Sequence, residues 1–273
     1  MSHYFDSNPE SPHEIRQIAW QAPYGNFRFT TDASCFSKKK LDYGSRLLIE
    51  GVLKDWGFRP KEADQCDRRR QQLYKLAPVH LVDLGCGYGP VATILAANIP
   101  QASFLSIDIN GRALDLAKKN FARNVGNSAQ DRAYFLQADG LASPKDIEAA
   151  LGRPFPADQI YLNPPIRAGK AVMYRLFYEA IRFLKEGGSP HPAFFIVQNT
   201  KQGLGSSKKE ISRILGEENV AYEEVVLDRS RGFHVVKYEL CPEQGSNGDY
   251  QIFQSEGEGP VTSPEIQGSG LNE

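Results

Sequence analysis

The chain has 273 residues, of which 41% are hydrophobic and 11% aromatic, and this is enough for one large or two small cores. Its formal net charge of -1 on its own disfavours a nucleic-acid partner. No two cysteines form a Cys-x-x-Cys pair, which argues against a zinc site and a disulfide framework and suits a reducing compartment; they are Cys35, Cys66, Cys86 and Cys241.

The charge is unevenly distributed along the chain. Residues 241–273 contain six acids and no Lys or Arg, so residues 1–240 hold all 32 basic residues and 27 acids, a net charge of +5. A mildly basic body permits RNA contact without requiring it, because non-specific phosphate binding depends on local clusters of Lys and Arg. Because 241–273 has few apolar residues, we predict a disordered acidic tail there.

The sequence near Met1 shows no basic flank followed by an apolar segment, and no later apolar run approaches the roughly 18 residues of a membrane span. We therefore expect no signal peptide, no membrane span and a cytoplasmic location.

The first elements in chain order are a hairpin and a helix. Two strand-like runs, 17–21 and 26–30, flank the turn signal Pro23-Tyr24-Gly25 and predict a hairpin at the edge of the fold. Residues 44–53 carry apolar residues at helical spacing. The polar stretch 57–78 predicts an inserted surface segment that is partly helical.

From Val79 the chain alternates between strands and helices. An apolar stripe that includes Phe177, Ile181 and Leu184 illustrates the helical period. This alternation predicts a parallel sheet with helices on both faces, and two final strands, 222–227 and 233–238, predict a hairpin that adds an antiparallel strand. The other predicted strands are 79–84, 103–108, 133–137, 158–162 and 193–198, and the helices are 90–98, 111–125, 171–185 and 207–215.

A glycine-rich loop follows the first of these strands. Gly85, Gly87 and Gly89 would let the backbone approach a ligand closely, and Pro90 suits the first position of a helix. A tight structural turn is the alternative, since Gly-x-Gly alone is weak. The dinucleotide fingerprint has Gly or Ala where this chain has Pro90, so the spacing favours a nucleoside ligand other than NAD.

Two acids stand at the ends of the next strands. Asp108, 23 residues after Gly85, can accept hydrogen bonds from ribose hydroxyls, and Asn110 is available to cap the following helix. Asp139 could accept from an adenine amino group, or could be an ordinary loop residue. A nucleoside site at this edge of the sheet is the expectation.

A rigid turn, Asn163-Pro164-Pro165-Ile166, ends the fourth strand. Two prolines cannot continue a helix or a sheet ladder, so Asn163 is held where ligands of parallel sheets bind. An Asx-type turn that only ends the strand is the alternative.

The motifs together resemble class I S-adenosylmethionine-dependent methyltransferases. More narrowly, the chain is similar to the methyltransferase small-domain family, whose best-known members are bacterial 16S ribosomal RNA guanine-N2 methyltransferases. The motifs are Phe36-Ser37-Lys38, Leu41-Asp42-x-Gly44-Ser45, Gly85-Cys86-Gly87-Tyr88-Gly89, Asp108-Ile109-Asn110, Asn163 through Lys170, and Gln202-Gly203.

The resemblance implies a fold and a domain organisation. The fold is α/β, a Rossmann-like doubly wound seven-stranded sheet with the last strand antiparallel, plus the N-terminal β-hairpin and helix. The expected domains are an N-terminal hairpin and helix at 1–56, the insertion at 57–78, the catalytic domain at 79–240 and the acidic tail at 241–273. Ribosomal members often carry two tandem copies of the domain, whereas this chain shows one copy and no internal repeat.

The resemblance also implies the cofactor S-adenosyl-L-methionine and no metal. It further implies a methyl-acceptor clamp, by which we mean that Asn163 and the rigid turn after it hold the group to be methylated. The predicted catalytic residues are Asn163, Pro164, Pro165 and Ile166. Predicted substrate contacts are Phe36, Arg167 and Lys170, for which core packing or solvated loop charges are the alternatives. The predicted cofactor contacts are Asp83, Gly85, Cys86, Gly87, Gly89, Asp108, Asn110, Asp139 and Asn163.

Ile166 narrows the expected substrate. Adenine- and glutamine-modifying relatives usually carry an aromatic residue there, so the aliphatic side chain resembles the guanine-N2 version and predicts 16S ribosomal RNA, free or in the small subunit, as partner. The alternatives are methylation of a protein amide or small amine, a non-catalytic cofactor-binding RNA module, and a nicotinamide oxidoreductase. The oligomeric state has no signal in the sequence.

Overall fold

The computed structural model describes residues 14–32, 40–59, 63–73 and 75–241. The strands are β1 (Arg16–Ala22), β2 (Gly25–Thr31), β3 (Val79–Leu84), β4 (Ala102–Asp108), β5 (Ala133–Gln137), β6 (Gln159–Leu162), β7 (Ala193–Asn199), β8 (Ala221–Ser230) and β9 (Phe233–Cys241). The α-helices are α1 (Tyr43–Asp55), α2 (Ala63–Leu73), α3 (Pro90–Asn98), α4 (Gly111–Val125), α5 (Pro144–Leu151), α6 (Lys170–Glu186) and α7 (Leu204–Glu217).

Seven strands form one sheet in the order β5-β4-β3-β6-β7-β9-β8. The strands from β5 to β7 in this order run parallel, and β9 lies antiparallel between β7 and β8. The predicted doubly wound sheet with its last strand antiparallel is confirmed. The strand order changes direction between β3 and β6, which opens a crevice at their carboxyl ends.

The two faces of the sheet are buried under different helices. Leu81 of β3 belongs to a core shared with α1, α3 and α4, whereas its neighbour Val82 belongs to a core shared with α6 and α7. Successive side chains of a strand point to opposite faces, so a strand covered on both faces must be apolar throughout. The first six residues of β7 are all buried for this reason.

The hairpin β1–β2 is held against α4 by two asparagines. Asn120 Oδ1 accepts the Thr30 N–H at 2.7 Å, and Asn120 Nδ2 donates to the Thr30 carbonyl at 2.8 Å. Asn124 makes the same pair of hydrogen bonds to Arg28, both at 2.9 Å. These side chains satisfy backbone groups that an edge strand would otherwise expose. The predicted edge hairpin is confirmed.

The segment 57–78 contains α2, and its polar residues anchor it to the body. Arg70 donates to Asn98 Oδ1 at 3.1 Å, and Arg69 donates to the Trp56 carbonyl at 2.6 Å. Cys66 and Leu73 are buried in the core beneath α1 and α3. The predicted acidic tail lies outside the described residues from position 242 onward. Among the helices that are described, none is long and apolar enough to cross a membrane.

Candidate active site

A cavity of about 530 Å³ lies at the carboxyl ends of β3, β4, β5 and β6. Its volume falls within the roughly 300–1,000 Å³ typical of small-molecule sites. Gly89 and Lys170 flank the cavity in sequence without lining it, and Phe36 lies outside the described residues. The predicted site residues that line it are Asp83, Gly85, Cys86, Gly87, Asp108, Asn110, Asp139, Asn163, Pro164, Pro165, Ile166 and Arg167.

The glycine loop is held to the neighbouring strand by its backbone. The N–H groups of Gly85 and Cys86 both donate to the Ile107 carbonyl, at 2.8 and 2.9 Å. Gly87 has a φ of 56°, and a Cβ there would meet nothing within 4 Å, which leaves an open cradle beside the backbone. A Cβ on Gly89 would lie 2.8 Å from that of Ala117, so this glycine allows α3 and α4 to pack closely.

Asp108 joins the end of β4 to the glycine loop. Its Oδ2 accepts the Gly87 N–H at 2.7 Å, and its Oδ1 accepts the Asn110 N–H at 2.9 Å. Burial raises the pKa of this carboxyl, while the two backbone donors act in the opposite direction. Both oxygens are thereby fixed in orientation at the cavity wall. Asn110 caps α4 by accepting the Ala113 N–H at 3.1 Å, as the sequence suggested.

Asp83 is a carboxyl buried under the glycine loop, with only 4% of its surface exposed. Its Oδ2 accepts the Ala92 N–H at 3.1 Å. Burial raises its pKa to about 7, with a smaller contribution from the nearby Asp108 carboxyl. A group of this kind changes charge readily when a cation binds near it.

Asn163 is held by residues from the start of α1. Its Nδ2 donates to Asp42 Oδ2 and to Ser45 Oγ, both at 3.0 Å. Asp42 Oδ2 also accepts the Ser45 N–H at 3.0 Å and so caps α1. Because the amide nitrogen is engaged on this side, the amide oxygen Oδ1 remains available to a donor in the cavity.

The two prolines after Asn163 form a tight turn. The Ile166 N–H donates to the Pro164 carbonyl at 2.9 Å, and Pro165 has φ −77° and ψ 75°. These values are those of an inverse γ-turn. The Pro164 carbonyl therefore uses one of its two lone pairs within the turn and keeps the other.

Asp139 is engaged by a residue to which the sequence reasoning gave no role. Its Oδ1 accepts from Arg175 at 2.6 Å, and Arg175 also donates to Glu179 at 2.9 Å. The acid at the end of β5 thus lies at the cavity in an ion pair.

Other cavity residues also had no predicted role. They include residues at the start of α1, on α6, in the turn after β7 and at the first position of β9, and no periodicity assigns these to the site; among them are Asp42, Ser45, Arg175, Gln202 and Phe233. Asp42, Ser45 and Gln202 did carry one signal, since they belong to the motifs on which the family resemblance rests. An Asp immediately before an apolar run of helical spacing is also a typical helix start.

A parallel sheet with an antiparallel strand inserted near its end, and a nucleoside-sized cavity at its switch point, is the architecture of the S-adenosylmethionine-dependent methyltransferases. The model of the methyltransferase small domain matches residues 26–236, so the chain belongs to that family. The predicted family, enzyme class and cofactor are confirmed.

The individual relatives have low sequence identity to this chain. The chain is 27% identical over 235 residues to the uncharacterized protein YbxB of Bacillus subtilis (strain 168), covering 86% of this chain and 96% of that one. It is 26% identical over 246 residues to ribosomal RNA large subunit methyltransferase G of Shewanella sp. (strain W3-18-1), covering 88% of this chain and 49% of the relative. The chain thus spans about half the length of methyltransferase G.

One solved structure shares the fold over most of the chain. It is the T. thermophilus 16S rRNA N2 G1207 methyltransferase (RsmC) in complex with AdoMet and guanosine, with a TM-score of 0.57 and 20% sequence identity. The match covers 84% of this chain and 51% of that chain.

The cavity fits S-adenosylmethionine. The open cradle at Gly87 allows a ligand to approach the backbone, and the fixed Asp108 oxygens at the cavity wall are predicted to accept hydrogen bonds from ribose hydroxyls. Asp83 also lines the cavity, and its carboxyl is predicted to contact the cationic cofactor. Within the described ranges no cluster of three or more His, Cys, Asp or Glu side chains could hold a metal ion.

Cofactor affinity is expected to fall as the pH drops below about 7. The Asp83 carboxyl has a pKa of about 7 in the free protein, and a cationic cofactor favours its ionised form, so binding releases a proton. Calorimetry between about pH 5.5 and 7 should give weaker binding at the acid end. Asp83→Asn should flatten the profile, and a wild-type profile without slope would contradict the assignment.

Proposed function

We propose that this protein transfers a methyl group from S-adenosylmethionine to an exocyclic base nitrogen of ribosomal RNA, with N2 of a guanine in 16S RNA as the acceptor. The observation that carries the proposal is the fixed orientation of Asn163. Its amide nitrogen is bound by Asp42 and Ser45, which leaves Oδ1 as an acceptor for an amino hydrogen.

The reaction needs a nucleophile that is held in line with the methyl group. S-adenosylmethionine, when bound, supplies a methyl group already activated on a sulfonium. Asn163 Oδ1 and the second lone pair of the Pro164 carbonyl accept the two hydrogens of the amino group. This arrangement lets the nitrogen pyramidalise toward the methyl group. Positioning and electrostatics then provide most of the acceleration, and no strong base is required.

Ile166 supports guanine as the base. It is a half-buried aliphatic side chain at the cavity, and it packs with the core under α6. An aromatic residue there would offer a stacking plane, whereas an isoleucine only limits the volume. The structurally similar T. thermophilus enzyme is an N2 methyltransferase of a guanine in 16S rRNA, and its solved complex contains guanosine.

A set of exposed cations supports RNA as the substrate. We call it the basic rim; it consists of Arg167, Lys170, Lys201 and Arg231. They stand after β6, after β7 and in the turn between β8 and β9, at the edge of the sheet where the cavity opens. None makes an ion pair with any described residue, whereas Arg175 at the same cavity is paired twice. Unpaired cations beside a cavity are available to phosphates.

The structure of the turns orders this rim. The Thr200 N–H donates to the Gly232 carbonyl at 2.8 Å, and Asn199 Nδ2 donates to the Arg231 carbonyl at 3.2 Å. The Arg231 guanidinium lies 5.1 Å from the centre of the Tyr43 ring. The two turns therefore hold Lys201 and Arg231 in fixed relation to the cavity.

Arg231→Ala should weaken RNA binding and make it less dependent on salt. Each phosphate contact on a single strand contributes roughly 0.7 to the slope of log K against log salt, so the slope should become smaller by about that amount. RNA binding measured at several salt concentrations tests this. Lys75→Ala is the matched control, because Lys75 is exposed just before β3, at the opposite edge of the sheet. Equal slopes for Arg231→Ala and the wild type would remove Arg231 from the rim.

The decisive experiment is a mass-spectrometric map of ribosomal RNA modifications in cells with and without this protein. We expect one N2-methylguanine of 16S RNA to disappear and to return when purified protein and cofactor are added. Large-subunit RNA is the second candidate, because the methyltransferase G relatives are named for that subunit. A loss confined to 23S RNA would select it.

The other alternative is a protein amide or a small amine, since the Asn163 clamp would accept hydrogens from either. Radioactive methyl from the cofactor should appear in RNA and not in protein. Label found only in protein would overturn the RNA assignment and leave the clamp intact.

A further inference from the structure

The start of α1 reaches the predicted clamp from a distant part of the chain. Asp42 and Ser45 precede Asn163 by 121 and 118 residues, and both accept a hydrogen bond from its Nδ2. A Cβ added to Gly44 would lie 3.4 Å from both Asn163 Nδ2 and Oδ1, so the backbone of α1 also packs closely on the amide. Three positions at the start of α1, namely its N-cap Asp42, Gly44 and Ser45, therefore define the place of one side chain.

The two acceptors, Asp42 and Ser45, differ in how strictly they determine the orientation of the Asn163 amide. A serine hydroxyl both donates and accepts, so Ser45 alone would tolerate either orientation of the asparagine amide. An ionised carboxylate only accepts, and an amide flip would bring Asn163 Oδ1 against Asp42 Oδ2. Asp42 therefore selects the orientation that leaves Oδ1 available to the cavity.

The same contact strengthens Oδ1 as an acceptor. Donation from an amide nitrogen to a carboxylate polarises the amide and moves negative charge to its oxygen, because hydrogen bonds in a chain polarise one another. The effect is larger where water is scarce, and Asn163 is only half-exposed between the buried Leu162 and Pro164.

We propose that Asp42 and Ser45 are positioning residues for methyl transfer, which orient and polarise the Asn163 amide so that the site accepts only a substrate that presents amino hydrogens. This inference rests on the proposed function, in which Asn163 receives such hydrogens. Residues at the N-terminus of α1 would thus help to determine which class of substrate is methylated.

A double-mutant cycle on turnover tests the inference. Asp42→Ser retains a good helix cap, yet the shorter side chain does not reach Asn163, and Ser45→Ala removes the second acceptor. We expect Asp42→Ser to lower kcat about tenfold and Ser45→Ala about threefold with 16S RNA transcript as the probe, changes that correspond to the loss of one hydrogen bond each. Cofactor affinity should remain that of the wild type.

The background variant Asn163→Ala separates positioning from folding. In that background Asp42→Ser should lower kcat no further, because the residue acts only through Asn163. Ser143→Ala is the control for a weakened helix start, since Ser143 caps α5 away from the cavity, and it should leave kcat unchanged. NMR of the Asn163 side-chain amide gives an independent measurement: its protons should exchange faster with solvent in Asp42→Ser.

The outcomes separate the two proposals. If Asn163→Ala turns over as fast as the wild type, the clamp and the positioning role both fail. If Asn163→Ala is impaired and Asp42→Ser is not, only the positioning role fails. Equal loss from Asp42→Ser in both backgrounds, with unchanged amide exchange, would assign Asp42 to helix capping alone.

Discussion

Replacing Asn163 with alanine is expected to lower kcat by about 30- to 1,000-fold and to change cofactor affinity much less, because Asn163 is only one of the nine predicted cofactor contacts. The variant removes one fixed acceptor of the substrate amino group, and the loss of a comparable fixed donor in an oxyanion hole costs roughly 2–4 kcal/mol of transition-state stabilisation. The cofactor contacts predicted at Gly87, in the loop after β3, and at Asp108, the last residue of β4, are not altered. Single-turnover kinetics with labelled cofactor, together with calorimetry, measures both quantities.

Stability must be followed in the same variant. Asn163→Ala leaves Asp42 Oδ2 and Ser45 Oγ without their amide donor, so the free energy of unfolding is also expected to fall, by about 1 kcal/mol. Both groups lie at the edge of the cavity, where water can replace the donor. A cooperative thermal transition that is lowered by no more than this, together with strongly reduced turnover, would assign the loss to chemistry. Wild-type turnover would contradict the clamp.

The parallel part of the fold could be predicted closely because each strand is short, apolar and followed by a turn signal. The predicted ranges for β3 and β5 and for α3 and α4 coincide with the observed ones. α5 was missed because it has eight residues and a single buried one, Ile147, so no apolar period is visible. Its start signal was present, since Ser143 precedes Pro144 and caps the helix.

β8 is longer than its predicted range for a different reason. It extends from Ala221 to Ser230, and its pairing with β9 shifts between Val226 and Asp228. A shift of register interrupts the alternation on which strand prediction depends. The sheet edge is therefore less visible in the sequence than the centre.

Some residues of the candidate site could likewise be predicted from the sequence, and others could not. Gly87, Asp108 and Asn163 could be predicted because each follows a recognisable strand, and the carboxyl ends of parallel strands meet at one edge. The approach of Asp42 to Asn163 could not, since it depends on how α1 crosses the sheet. No local pattern encodes a contact between residues 121 positions apart. Arg175 was missed because its neighbours on α6 identify it only as part of a polar helix face.

Asp108→Ala is expected to weaken S-adenosylmethionine binding by roughly 10- to 150-fold, about 1.5–3 kcal/mol, the range for a hydrogen bond to a charged group. The Asp108 oxygens are fixed by the N–H groups of Gly87 and Asn110, so the variant also leaves two donors of the loop unpaired. A cofactor analogue with deoxyribose separates the two effects. If Asp108 binds ribose hydroxyls, the loss of binding free energy caused by the variant and the loss caused by the analogue should not add.

Asp115→Ala is the matched control, because Asp115 is an exposed acid of α4 outside the cavity. Full affinity in Asp108→Ala would contradict the ribose role, and equal losses for both ligands would assign Asp108 to holding the glycine loop.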